Sequence, residues 1–268
     1  MSSAVAADDR PLVLSERKGD VFTLTLNRPE AMNATMPGMI PELAAKLDAA
    51  LEAGARAIVL TGAGKGFCAG AYLKGGPSPD GKPKDMGEGL EKILNPLIEK
   101  MMSMPVPVIT AVNGGAVGAG MGLALAGDIV LMSKSAYYLV AFARVGLVPD
   151  AGLTWQLPRI VGRHRALELM YLAEKLPADE AVRLGLANRV VDDAELMQTA
   201  GELAERLASG PTASFAAMRR GVAASLQDDL GTSLAQEAVQ QRAAGFRNDF
   251  AEGVAAFAQK RAARFTGS

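Results

Sequence analysis

Cysteine and histidine are almost absent from this chain of 268 residues: each occurs once. With Cys68 alone, an intramolecular disulfide and a multi-cysteine metal site are both excluded, and such scarcity of thiols suits a reducing compartment. A Ser-His or Cys-His catalytic pair would have to use His164, which lies among arginines in "GRHRALEL" with no evident partner nearby. His164 reads as a surface residue. Cys68 follows Phe67 in an apolar run and reads as buried rather than reactive. An excess of one charge is missing too. Lys and Arg number 28 against 29 Asp and Glu, a formal net charge of −1. The cations are scattered rather than gathered in a stripe, which argues against a nucleic-acid partner. The opening "MSSAVAADDRPLVL" has no basic region leading into an apolar run, and Asp8 and Asp9 do not suit an acid-poor transit peptide. No targeting signal is expected, and the location reads as cytoplasmic. The uncharged stretch between Lys100 and Asp128 is long enough to span a bilayer, but Pro105, Pro107, Asn113 and six glycines divide it into shorter elements. A buried strand, loop and helix is expected there, and no membrane contact.

What the chain does have is length enough for a large core, since a protein of this size buries roughly three quarters of its unfolded surface. The segment 12–27 alternates apolar and polar residues on both sides of a Lys-Gly-Asp turn, the pattern of a hairpin. A helical pattern at 39–54 ends in glycine, and "RAIVLTG" (56–62) is a buried-type strand running into "GAGKGFCAGA". About fifty residues on, the arrangement recurs as "LEKILNPLIEKMM", "VPVITAV" and the glycine-rich "NGGAVGAGMGLALAGD" (113–128). Two strand, glycine loop and helix units thus follow one another. The Pro-, Gly- and charge-rich stretch 75–89 reads as a mobile surface loop beside whatever the glycine loops bind. Beyond about residue 193 the chain is Ala-rich and helical, as a cap on the sheet domain or an oligomerisation surface.

The glycine loops do not fit a nucleotide fingerprint. Residues 118–122 bring the third glycine too early for G-x-G-x-x-G, and "GAGKGF" lacks the spacing and the Ser/Thr of a P-loop. Both loops nevertheless follow strands and carry small residues that let a ligand approach backbone N–H groups. Asp150, after Pro149 and before a helical pattern, stands where a helix N-cap would stand; a catalytic carboxylate is the alternative. Asp128, at the start of "DIVLMS", reads as structural.

Five segments, "NRPEAMNA" (27–34), "GAGKGFCAGAYLK" (62–74), "AVNGGAVGAGMGLALAGDIVL" (111–131), "GLVPDAG" (146–152) and "DFAEGVAAFAQKR" (249–261), resemble in order and spacing the enoyl-CoA hydratase/isomerase, or crotonase, superfamily. The resemblance covers nearly the whole chain. It implies an α/β, ClpP/crotonase-like spiral of repeated β-β-α turns, with a C-terminal helical region that builds trimers, commonly paired as hexamers. On that basis residues 1–192 are expected to form the spiral core with an acyl-CoA site, and residues 193–268 the helical oligomerisation region.

The resemblance also implies that one backbone N–H from each glycine loop, at Ala71 and Ala119, holds the oxygen of an acyl-CoA thioester. Each such donor is worth on the order of 3 kcal/mol when negative charge develops there. Hydratases of the family carry two glutamates, whose positions here are Gly122 and Phe142. Hydration usually needs two acid/base groups, whereas moving a double bond needs one base that removes a proton and returns it. Asp150 in its "GLxPDxG" context resembles the acid/base of the branch that isomerises ring-modified phenylacetyl-CoA and related unsaturated acyl-CoAs, and an apolar site containing Phe142 would raise its pKa. The dehalogenating branch also needs a histidine before the second loop, where this chain has none. For the CoA moiety the resemblance implies backbone contacts from Ala69, Ala71 and Leu73. Arg28 and Lys74 are candidates for its phosphates and Lys260 for a neighbouring subunit's ligand, although each reads equally as a solvated charge. Tyr72, Met86 and Leu90 are candidates, with Phe142, for the acyl pocket. The expectation is an acyl-CoA double-bond isomerase without metal or redox cofactor. The alternatives are a hydratase using Asp150 alone and a non-catalytic acyl-CoA binding protein.

Overall fold

The computed structural model describes residues 10–72 and 85–268. Strands β1 (Val13–Lys18) and β2 (Val21–Leu26) form the expected antiparallel hairpin, turning at Gly19. Helix α1 (Met39–Glu52) leads to β3 (Ala57–Gly62) and the short β4 (Gly66–Cys68). After the undescribed segment come a single turn α2 (Gly87–Gly89), a π-helical stretch Leu90–Leu94 and α3 (Asn95–Met102). The second unit follows as β5 (Val108–Val112), β6 (Gly115–Val117) and α4 (Ala119–Leu125), the third as β7 (Ile129–Ser133), β8 (Tyr137–Leu139), a 3-10 turn (Ala141–Val145) and α5 (Leu153–Leu172). Helix α5 breaks at Gly162, whose backbone is not helical. Then come β9 (Leu176–Pro177), α6 (Ala178–Arg183) and β10 (Arg189–Val191).

Each turn of the chain gives one strand to each of two sheets. The larger has the order β1-β2-β3-β5-β7-β10, parallel from β2 onward, and the smaller β4-β6-β8-β9. This is the β-β-α spiral that the sequence implies. Strand β3 is apolar without alternation because both its faces are covered. Ile58 and Leu60 join the main core with α1, α3, α4 and α5, while Ala57 and Val59 join a second core under α7 (Leu196–Ala208). That second core sets α7, which lies beyond residue 193, on the sheet. Leu196, Ala200, Ala204 and Ala208, spaced four apart, form the stripe that lies on the sheet. Helix α7 therefore covers one face of the sheet. Only α8 (Thr212–Ser225), α9 (Leu230–Gly245) and α10 (Asn248–Ala258) extend beyond it.

Asp128 is structural, as read. Its carboxylate accepts the Val108 N–H at 2.7 Å and pairs with Arg219 of α8. Among the described residues no helix is long and apolar enough to cross a membrane.

Candidate active site

Two asparagines, Asn33 buried and Asn113 half-buried, shape the first glycine loop. Asn33 donates through Nδ2 to the carbonyls of Ala63 (2.9 Å) and Gly66 (2.7 Å), and Asn113 through its own Nδ2 to Gly62 (2.8 Å) and Gly64 (2.9 Å). The loop is thus held from the N-terminal motif on one side and the second unit on the other. It ends at Gly70, whose carbonyl accepts the Thr35 N–H at 2.7 Å. No peptide bond among the described residues is cis, so the N–H of Ala71, in the same planar peptide, points away from Thr35. Gly70 (φ +78°) presses on the second loop. A Cβ there would stand 2.6 Å from the Val117 carbonyl oxygen and 3.3 Å from the Ala119 nitrogen. Only glycine lets the two loops meet this closely.

Ala119 is the first residue of α4, so its N–H has no intrahelical acceptor. The ring of Phe142 lies against the preceding residue, 3.6 Å from where a Gly118 Cβ would be. Along α4, Gly122 faces the Asp150 segment. A Cβ on Gly122 would fall 2.3 Å from the Ala151 Cβ and 2.5 Å from its carbonyl oxygen. The place of the first hydratase glutamate is therefore filled by Ala151, through both its methyl group and its carbonyl, and that of the second by the buried Phe142.

The same contact brings Asp150 beside α4. Ala151 (φ +51°) and Gly152 (φ +75°) are both left-handed, and this pair turns the chain into α5. The N-cap of α5 is Gly152, with no side-chain capping bond. The capping reading of Asp150 is thus wrong: its main-chain carbonyl accepts the Leu153 N–H, but its carboxyl caps nothing. That carboxyl is half-buried with Oδ1 unpartnered, and burial pushes its pKa up to about 6. No neighbouring charge offsets this, so desolvation decides the shift.

The remaining candidates divide. The N–H of Ala69 is engaged by the Met32 carbonyl at 2.9 Å. Arg28 is buried, its guanidinium donating to the carbonyls of Arg10, Pro11 and Asn27, a geometry that serves the N-terminal segment rather than a phosphate. Lys260 is exposed just after α10, far along the chain from the loops. Leu73 and Lys74, with residues 75–84 of the expected surface loop, lie outside the described residues. Tyr72 and Met86 are exposed on either side of that segment, while Leu90 packs on the main core. His164 is exposed on α5, and Cys68 is buried, its thiol pushed up to about 12 by desolvation. Sequence reading missed an apolar rim between Phe142 and Asp150: Val145, Leu147 and Val148 are exposed, the last by 80%. Three aliphatic residues within six positions after Phe142, broken by Gly146 and stopped by Pro149, were the signal for it.

Main-chain amides on two closely meeting loops suit a developing oxyanion, and one desolvated carboxyl near neutrality suits proton transfer. Solved structures place this architecture in a known class: the crystal structure of an enoyl-CoA hydratase from Bacillus anthracis matches with a TM-score of 0.89 at 31% identity, over 96% of this chain and all of that one. Among curated relatives, the 1,2-epoxyphenylacetyl-CoA isomerase of Escherichia coli K12 is 43% identical over 95% of this chain and 98% of its own. A probable enoyl-CoA hydratase of Rhodobacter capsulatus is 46% identical over 91% and 93%. The enoyl-CoA hydratase/isomerase family matches residues 16–268. The chain belongs to that family and is an enzyme of it.

Proposed function

We propose that this enzyme is an acyl-CoA double-bond isomerase. Asp150 removes a proton from an unsaturated acyl-CoA and returns it at another carbon, while the N–H groups of Ala71 and Ala119 hold the thioester oxygen as it gains negative charge. One observation carries the proposal: Asp150 is a lone, desolvated carboxyl beside α4, and both places where a second carboxylate would act are closed, by Ala151 against Gly122 and by Phe142. A single carboxyl suffices for moving a double bond, and a pKa near neutrality lets it both take and give a proton. The carbonyl of Ala69 and the backbone near Leu73 would contact CoA, with Lys74 and Lys260 for its phosphates. No metal or redox cofactor enters the reaction. Hydration by Asp150 alone is the second reading, favoured by the name of the Rhodobacter relative.

The apolar side chains of α8–α10 support a trimer or hexamer. A groove of about 780 Å³ between α8 and α9 is lined by Met218, Val222 and Leu234, and all three are exposed. Closed symmetry is the usual way to cover such a surface. The test of the chemistry is a panel of 3-enoyl, 2-enoyl and ring-containing CoA thioesters followed by mass and NMR. An isomer of unchanged mass supports the proposal; a product heavier by one water replaces it with hydration, and binding without turnover replaces it with an acyl-CoA binding role.

A further inference from the structure

Two buried polar atoms near the start of α5 lack any hydrogen-bond partner: Oδ1 of Asp150 and Nε2 of Gln156. One accepts and the other donates. Gln156 is only 5% exposed, and its side chain reaches back a full turn toward the helix start. Its Nε2 lies 3.3 Å from where a Cβ on Gly152 would stand, and Ile98 of α3 approaches the same point to 3.6 Å. Asp150 is two residues before Gly152, in a turn closed by the Leu153 N–H and the Asp150 carbonyl. Both orphaned atoms are sealed from solvent, so water does not reach them, and polar groups so placed are ordinarily paired.

We infer that Gln156 is a positioning residue for the proton shuttle, its amide hydrogen-bonding the inner oxygen of the Asp150 carboxyl and leaving Oδ2 to exchange protons with the acyl-CoA. This rests on Asp150 as the base. The bond forms as the site closes on substrate, since catalytic hydrogen bonds often tighten only in the substrate complex. A primary amide suits a group that changes protonation state. Its N–H donates to the carboxylate, a charge-assisted bond stronger than the one its carbonyl, turned over, accepts from the carboxylic acid. A cation at the same place would stabilise the carboxylate alone.

Among the described residues, no charge on the packed elements competes for Asp150. Helix α4 has no ionisable side chain. Arg144 in the 3-10 turn donates to the Ala173 carbonyl, Lys100 on α3 pairs with Asp48, and Glu99 is exposed. On α5 itself, Arg159 stacks on Trp155.

The experiment follows solvent deuterium exchange into a 3-enoyl-CoA as a function of pH, on the full-length enzyme and its Gln156→Leu, Gln156→Glu and Asp150→Asn variants. Loss of the amide donor leaves the carboxylate less stabilised, so in Gln156→Leu the midpoint of the rise in exchange should move upward by about one pH unit, with exchange near the wild-type midpoint reduced several-fold. Gln156→Glu, nearly isosteric and therefore the variant to rely on if Gln156→Leu fails to fold, should move it further upward through like-charge repulsion. A wild-type midpoint in either folded variant overturns the inference even if thermal stability falls, because a merely structural glutamine would change stability alone. Exchange that persists in Asp150→Asn overturns the base assignment, and this inference with it. Loss of exchange in Asp150→Asn together with unshifted Gln156 variants overturns only the role of Gln156.

Discussion

The loop-and-helix unit around α4 and the terminal helices α8–α10 bury their apolar surface to very different degrees. Every residue of α4 is buried, and its neighbours approach until Gly122 has no room for a side chain. In the terminal helices the large apolar groups face outward, with Phe246 87% and Phe257 88% exposed. The first region satisfies itself within one chain. The second leaves apolar surface that the described residues of this chain do not cover. Chemistry at the first should therefore be separable from assembly at the second.

Asp150→Asn should produce the largest break between them. The substitution keeps the size of the side chain but cannot take up a proton, so isomerisation and solvent exchange should fall by roughly 10² to 10⁴, the usual worth of a placed general base. Acyl-CoA affinity, by calorimetry, and particle mass, by light scattering, should not change. Full activity in this variant would leave the α4 region without its base.

Next in size is Ala119→Pro. Proline is tolerated at the first position of a helix and removes the N–H assigned to the thioester oxygen. Turnover of every acyl-CoA should drop by roughly 10² to 10³, the cost of one lost oxyanion donor. Circular dichroism and assembly should be preserved; a folded variant with wild-type turnover would remove this amide from the mechanism.

Gly122→Glu sharpens the comparison from the packing side. Restoring the hydratase glutamate here forces a side chain against the Ala151 backbone, and overpacking costs about 1 to 3 kcal/mol or more. We expect a lower thermal midpoint and no gain of a water-added product. A stable variant that hydrates 2-enoyl-CoA would show that the α4 contact yields easily. In the other region, Phe246→Lys with Phe257→Lys should shift light scattering toward a single chain while the far-ultraviolet dichroism is retained. An unchanged particle mass would mean that these faces are not the contact.

The smallest effect is one of pH. The carboxyl of Asp150 ionises near 4 in an unfolded chain and at about 6 in the folded one, so between those values the folded state holds the extra proton. Stability contributed by this group therefore falls as pH rises from about 4 to 6. Asp150→Asn should melt above the wild type at pH 8 and close to it at pH 4; the opposite order would mean that Asp150 is stabilised as a carboxylate.

Much of this fold can be read from the residues. The hairpin at Gly19, the buried strand β3 and the α1 helix carry their periodicities in plain view, and the recurrence of strand, glycine loop and helix announces the spiral. The packing of helix α7 is not legible, because its four-residue stripe of Leu and Ala looks the same on a core helix as on an oligomer surface. Only its packing on Ala57, Val59 and Ile109 places it in the core. The apolar rim of Val145, Leu147 and Val148 escaped notice for the opposite reason, since short apolar runs usually signal burial.

The site divides in the same way. The two glycine loops and Asp150 were legible, because a backbone that must approach another closely leaves glycine as its mark and a carboxyl after Pro149 is conspicuous. Whether Asp150 capped a helix or faced an apolar site was not, since both roles favour the same residue in the same place. Tertiary structure removed the capping role by making Gly152 the cap, and it desolvated the Asp150 carboxyl. Gln156 was silent in sequence, one polar residue in a helix, and gained meaning only when packing sealed its amide from water. Local pattern records what a residue does for its own turn or strand. Desolvation and the meeting of distant backbones depend on everything packed around a residue, and only the folded chain supplies that.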